Sequence, residues 1–404
     1  MKFNFKRRKQ TGIKTDFGLN FNIKGKPDYL FLAIIIVFVI FGTVMVYNSS
    51  FVVAFKTFND QFSILKSHLF NVAVGVAAFL FFYFWDYRKL GKVAFPALVV
   101  SIILLILVLF LAKDVGGAKR WLVVGGVNIQ VSEIAKFAFI VYLSFWLNRA
   151  KGKINKLGIA FWDYIKSDML PFLVLLGIIG SLVLIQPDLG TAAVIALTAS
   201  LMFFISGDDL THLLSSALVF LILIGALVGG LFLESYRQER LSVYTDLLTT
   251  GRLSRAKALD QGYPQQQVLI AIASGGIWGV GFGESKQKYF YLVDQTAYTD
   301  TIFAVIAEEF GMVGCILIVL GYLALVLRGL KIAQGAPDRV GALLVYGIIT
   351  WIGMQSFFNI AANVALVPFK GITLPFISYG GASIVVTLAA LGIVANISKF
   401  TKTK

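Results

Sequence analysis

The sequence predicts an all-α polytopic membrane protein with ten transmembrane helices, cytoplasmic N- and C-termini and one large extracellular loop. Three observations lead there. Only 14% of the 404 residues are charged while 58% are hydrophobic, and the mean hydropathy is +0.82. Soluble domains carry about 25% charged residues, so compact cores could not hide this much apolar surface. The apolar residues also fall in unbroken runs of about 20, the length a helix needs to cross the bilayer core. Outer-membrane strands would alternate instead. Soluble multidomain enzymes, disulfide scaffolds and nucleic-acid folds are excluded together.

The elements follow in order. Residues 1–28 are basic and polar with no apolar core segment, so they read as a cytoplasmic tail and not a cleaved signal peptide. Stretches free of Asp, Glu, Lys and Arg then mark spans at 29–55, 67–85, 93–112, 169–187, 189–207, 210–233, 310–327, 340–369 and 371–398. A tenth, 130–148, is apolar except for Glu133 and Lys136. The transmembrane domain is thus 29–398, with an external loop at 234–298 and a short tail at 399–404. That loop is not low-complexity, and its part at 268–278 is apolar enough to lie on or dip into the membrane. An even number of spans puts both termini on one side. The segments on that side hold 22 lysines and arginines, whereas the short loops opposite hold 6. The basic side is cytoplasmic. The net charge of +15 is therefore topology, and implies no nucleic acid. The Gly207-Asp208-Asp209 turn runs against the trend, but acidic residues carry little weight in this rule. Cys315 stands alone in an apolar run, which excludes an intrachain disulfide, and His68 and His212 are far apart.

Charges at membrane depth are costly and call for an explanation. Glu133 and Lys136 are three residues apart, so on a helix they share a face; a structural ion pair and a functional one fit equally. Lys119-Arg120-Trp121, on the external side, suits either an interfacial anchor or an anionic group. Asp188, in Gln186-Pro187-Asp188-Leu189-Gly190-Thr191, suits a helix cap or a site. The glycine-rich run 274–283 mimics nucleotide fingerprints, but it is external and lacks the strand–helix context they need. Close backbone packing or an irregular turn is expected there. Asp300, in Tyr298-Thr299-Asp300-Thr301 at the external mouth of a span, is the strongest candidate for chemistry; capping by Thr299 or Asp300 is the alternative. Glu308 and Glu309 lie roughly 12 Å deeper by helical rise and need partners.

Together the motifs carry a resemblance. Gly117-Ala118-Lys119-Arg120-Trp121 is followed by Gln130-Val131-Ser132-Glu133 with Lys136, then by the Gln186–Thr191 block. Ser274-Gly275-Gly276 through Gln287-Lys288, Thr299-Asp300 and Ala307-Glu308-Glu309-Phe310-Gly311 come next. The last block runs from Lys370-Gly371-Ile372-Thr373 through Phe376-Ile377-Ser378-Tyr379-Gly380-Gly381. In this order they resemble the SEDS family of peptidoglycan glycosyltransferases (RodA, FtsW and SpoVE) across residues 28–398. Val131 stands where the family usually has proline, and 292–298 is two residues longer than usual, leaving Asp294 as stand-in for a glutamate. Thr373 favours the FtsW-like division branch over the elongation branch.

The resemblance implies polymerisation of lipid II at the outer face of the bacterial cytoplasmic membrane. It implies Asp300 as general base, with Lys119, Arg120, Lys136, Arg240 and Lys370 as cations for the leaving diphosphate. Glu133, Asp188 and Ser378 complete the expected substrate-binding set. A Mg²⁺ or Mn²⁺ ion bridging the diphosphate is compatible, though the sequence names no ligand set. The implied partners are a class B penicillin-binding protein transpeptidase and other membrane proteins of the divisome or elongasome. Two rival readings are a flippase for lipid-linked precursors, which would predict inverted repeats, and a non-catalytic scaffold of the cell-wall machinery.

Overall fold

The structure, a computed structural model, describes residues 25–112, 120–124, 127–154, 168–207, 210–231, 263–290, 297–367 and 371–401. Lys119, Arg240, Asp294 and Lys370 lie outside the described residues, as does 234–262 of the long loop.

Helix α1 (Tyr29–Phe58) begins at Asp28, whose carboxylate accepts the Phe31 N–H at 3.0 Å, and ends at Asn59 in the left-handed region. Then come α2 (Ser63–Phe84), a 3₁₀ turn (Tyr87–Lys89) and α3 (Leu90–Leu111). A short antiparallel ribbon follows, β1 (Trp121–Val124) with β2 (Val127–Gln130), pairing Trp121 with Gln130. The all-α expectation did not include it. The remaining helices are α4 (Val131–Ile154), α5 (Leu170–Ile185), α6 (Leu189–Ile205), α7 (Leu210–Leu231), α8 (Tyr263–Gly275), α9 (Lys286–Phe290), α10 (Ile302–Gly335), α11 (Arg339–Asn363) and α12 (Gly381–Ser398). Seven of these, counting α3 with its leading turn, are long and apolar enough to cross a membrane among the described residues; α5 and α6 are shorter apolar helices. Each apolar run read from the sequence carries a helix, α7 included, although 371–380 of the last run is irregular.

Burial separates core helices from lipid-facing ones. The apolar windows of α4, α11 and α12 are 67%, 67% and 78% buried, against 17% for α2 and 22% for α10. Small residues let the central helices approach closely. A side chain at Gly392 of α12, for example, would meet the Phe79 carbonyl of α2 at 2.4 Å. The two ends of the chain meet at one end of the bundle: Asp28 pairs with Arg328 at 2.7 Å, and its N–H reaches Ser398 Oγ at 3.1 Å. That arrangement agrees with an even number of crossings.

Helix α10 is broken at Gly311, where φ is +63° and ψ is −162°. The glycine run after α8 fills the break. Val280 and Gly281 donate to the carbonyls of Glu308 and Glu309 at 2.9 and 3.1 Å, while Met312 and Val313 donate to Gly276 and Ile277 at 2.9 and 3.2 Å. Four backbone groups that the break would orphan are thereby satisfied, as the low-dielectric setting demands. A side chain at Gly279 would lie 2.1 Å from the Glu309 carbonyl, so the run is glycine-rich for contact, as expected.

Candidate active site

Three segments meet at the external end of the bundle: the turn 297–301 that enters α10, the irregular stretch 371–380 before α12, and the outer half of α11 beside both. Asp300 is half-buried. It is not the cap of α10; Thr301 holds that position and makes no side-chain capping bond. The Asp300 carboxylate instead accepts the Gly371 N–H at 3.1 Å on Oδ2 and the Thr299 hydroxyl at 3.2 Å on Oδ1. Its own carbonyl accepts from the side-chain amides of Asn359 and Asn363 at 2.9 and 3.0 Å. Ser378 ties the loops together, donating to the Thr299 carbonyl at 2.5 Å and accepting the Leu374 N–H at 2.8 Å. Tyr379 adds an N–H to the Tyr298 carbonyl at 2.8 Å. Burial, with Tyr379 adding to it, pushes the Tyr298 phenol up to about 12, so this neighbour of Asp300 stays neutral. Asp300 opens on a small, shallow hollow lined also by Gln265, Asn359, Asn363 and Gly371.

Arg120 approaches from the other side. Its Nε donates to the Gln186 carbonyl at 3.0 Å and Nη2 to the Pro187 carbonyl. Its Nη1 lies 3.2 Å from where a side chain on Gly371 would begin. Gly371, with φ +80°, therefore offers its N–H to Asp300 while leaving room for the guanidinium. Asp188 supports this arm. It is a helix cap, accepting the Thr191 N–H at 3.1 Å, and its second oxygen faces Gln130 Nε2 at 3.4 Å. It thus fixes the turn whose carbonyls hold Arg120.

Glu133 and Lys136 form a buried pair at 2.9 Å, their side chains 4% and 2% exposed. Lys136 also donates to Gln355 Oε1 at 2.6 Å, and the Gln355 amide donates to the carbonyl and hydroxyl of Thr373 at 3.1 Å each. The pair is therefore wired to the 371–380 stretch without lining the hollow. Glu133 Oε2 is buried with no hydrogen-bond partner among the described residues. Glu308 and Glu309 have partners of their own. Glu308 collects Ser285 Oγ at 2.5 Å and the N–H groups of Lys286 and Gln287, capping α9. Glu309 pairs with Lys288 at 2.6 Å and with Asn48 at 2.5 Å. Burial holds the Lys288 ammonium below the usual lysine range, with Glu309 opposing.

The amides of α11 escaped the sequence reading. Gln355, Asn359 and Asn363 recur every four residues in a charge-free run, the spacing of one helical face. That period was the available signal.

A family model described as Cell cycle protein, covering FtsW, RodA and SpoVE, matches residues 28–403. The chain belongs to the FtsW/RodA/SpoVE family. It is 36% identical over 388 residues to the probable peptidoglycan glycosyltransferase FtsW of Geobacter metallireducens, covering 96% of this chain and 98% of that one. It is 36% identical to stage V sporulation protein E of Bacillus subtilis, over 94% and 99% of the two chains. Among solved structures, a chain from a peptidoglycan synthase complex aligns with a TM-score of 0.71 at 26% identity, over 94% of this chain and 99% of that one. RodA of Thermus thermophilus aligns at 0.63 and 26%, over 94% and 98%. The FtsW/RodA/SpoVE assignment agrees with the motifs, and FtsW relatives support the FtsW-like branch read from Thr373. Family and apolar helices together make this a multi-pass protein of the bacterial cytoplasmic membrane.

Proposed function

We propose that the protein is a peptidoglycan glycosyltransferase that polymerises lipid II for cell division at the outer face of the membrane, with Asp300 as general base. The observation that carries this reading is the Asp300 carboxylate itself. It is half-buried at the hollow, oriented by Gly371 and Thr299, with the Arg120 guanidinium across Gly371. The relatives' activity supports the reaction class.

Asp300 takes the proton of the acceptor's GlcNAc 4-hydroxyl as that oxygen bonds to the anomeric carbon of the donor's MurNAc. The bond from this carbon to the diphosphate oxygen breaks, and its electron pair leaves with undecaprenyl diphosphate. That anion needs no proton, so one carboxylate suffices where glycosidases use two. It does need positive charge. Arg120 supplies this, joined by its chain neighbour Lys119, by Lys370 next to Gly371, and by Arg240. Glu133, Lys136, Asp188 and Ser378 act by shaping the loops that hold Asp300 and Arg120. A divalent cation accompanying the diphosphate is compatible with the chemistry, although among the described residues no cluster of three or more His, Cys, Asp or Glu would hold it. The proposed partner is a class B penicillin-binding protein transpeptidase, a reading supported by the similar chain from a synthase complex.

The test is glycan formation from lipid II by the purified protein with that transpeptidase present. Asp300→Asn should lower the polymerisation rate about a hundredfold or more. Full activity in that variant refutes the base assignment. Lipid II flipping in liposomes by this protein alone, without polymerisation, would favour a transporter.

A further inference from the structure

Asp300 is held by a row of amides that borders the same hollow and that the proposed reaction does not use. Asn359 is 2% exposed, and its Nδ2 donates both to the Asp300 carbonyl at 2.9 Å and to the Ile372 carbonyl at 2.7 Å. One NH₂ group thus bridges the two loops that make the site. The Ile372 carbonyl is next in the chain to Gly371, whose N–H reaches Asp300 Oδ2. The distance between the carboxylate and its N–H donor is therefore set by the span of a single amide. Asn363, 4% exposed, repeats the grip on the Asp300 carbonyl at 3.0 Å and anchors itself on the Asn359 carbonyl at 2.9 Å. One turn inward, Gln355 holds the next carbonyl of the same stretch, that of Thr373. All three sit on the rigid, well-buried helix α11.

A polar row at this depth in a membrane helix is costly unless every group finds a partner. The Nδ2 donors do so only when both loops are in place, whereas Asn363 Oδ1 finds no donor among the described residues. Stabilising a helix alone would not require this arrangement; Ser144, buried on α4, simply donates back to the Ile140 carbonyl.

We propose that Asn359, with Asn363 as its second grip, is a positioning residue that fixes the Asp300 carboxylate against the Gly371 N–H for proton abstraction. This rests on Asp300 being the base. The Asn359 NH₂ group is committed to the Asp300 and Ile372 carbonyls and acts through Asp300, so its loss should slow the chemical step and leave substrate binding largely intact.

The experiment measures kcat and KM for lipid II polymerisation in the full-length protein with its transpeptidase partner, together with the melting temperature. The variants are Asn359→Ala, Asn363→Ala, Asp300→Ala and, as packing control, Ser144→Ala. Asn359→Ala should lower kcat about tenfold or more, with KM within about twofold, because a displacement near 1 Å suffices for such a loss. Asn363→Ala should show the same split, severalfold in kcat, and it serves as the test should Asn359→Ala fail to fold. Ser144→Ala should match the wild type. An inactive Asp300→Ala beside Asn359→Ala and Asn363→Ala of normal kcat overturns the positioning role alone. An active Asp300→Ala removes the base assignment, and this proposal with it. A kcat loss that merely tracks a fall in melting temperature, in Ser144→Ala as well, overturns the proposal in favour of ordinary packing.

Discussion

At Lys136 the sequence posed a choice between structure and function, and the geometry lets one group serve both. The ammonium lies between Glu133 and Gln355, 5.0 Å over the Trp351 ring, with almost no solvent. Removing it strands a buried carboxylate, one of whose oxygens has no partner among the described residues. Lys136→Met should therefore destabilise the protein by about 3–5 kcal/mol, and Lys136→Met with Glu133→Gln by clearly less, read as melting temperatures in detergent. Activity regained by a charge-swapped pair would mark the role as purely structural. The ionised members of the site were legible because charge is scarce in this chain and each instance demands a reason. Asp300, Glu133 and Asp188 were found in that way. Asn359 and Asn363 were not, since a neutral amide does not interrupt an apolar run, and only their four-residue period distinguishes them. Gly371 makes the same point about conformation. Its motif was visible, but its left-handed φ and the nearby guanidinium were not. Gly371→Ala should move Arg120 and lower polymerisation while costing only about 1–2 kcal/mol of stability, a contrast that paired rate and melting measurements would check.

Among the elements, α10 departs furthest from the helix its sequence suggests. The charge-free run begins only at 310, so Glu308 and Glu309, just ahead of Gly311, were one mark of the break. A second lay in the glycines of 275–283, whose segment supplies the replacement hydrogen bonds. Two of them provide a matched test. Gly276, at φ +54°, has open space where a side chain would go, so Gly276→Ala should cost only the backbone term, about 1–2 kcal/mol. Gly279→Ala would drive a methyl group into the Glu309 carbonyl and should add about 1–3 kcal/mol of overpacking to that. Equal melting temperatures would mean that the hairpin does not fill the break. The β1–β2 ribbon was legible too. Gly125-Gly126 between two four-residue β-prone segments is a hairpin signal, but it is far shorter than a span. The 371–380 stretch, apolar enough to be counted with the final span, is irregular because Gly371, Pro375 and Gly380 punctuate it. Hydropathy reports burial, and cannot distinguish a helix from an irregular stretch packed inside protein.

Over the whole molecule, the charge bias and the meeting of Asp28, Arg328 and Ser398 put both termini at the cytoplasmic end. With Cys315 replaced by serine, Leu366→Cys should react with a membrane-impermeant maleimide on intact spheroplasts and Lys26→Cys should not; the reverse pattern would invert the topology. Leu366 is 63% exposed, which makes the first reaction accessible. The break in α10 also has a mechanical side. Ile302 to Glu309 are buried without exception, whereas Met312, Leu317 and Leu320 beyond the break are 53%, 64% and 51% exposed. The outer piece is a peg seated in protein, while the inner piece keeps one face, Ile318, Tyr322, Leu325 and Ile332, against the bundle and turns the other to lipid. Gly311 marks the change, and the four backbone hydrogen bonds of the glycine run lock it. The carboxylate at the head of the peg is thus mounted on protein and not on the lipid-facing piece.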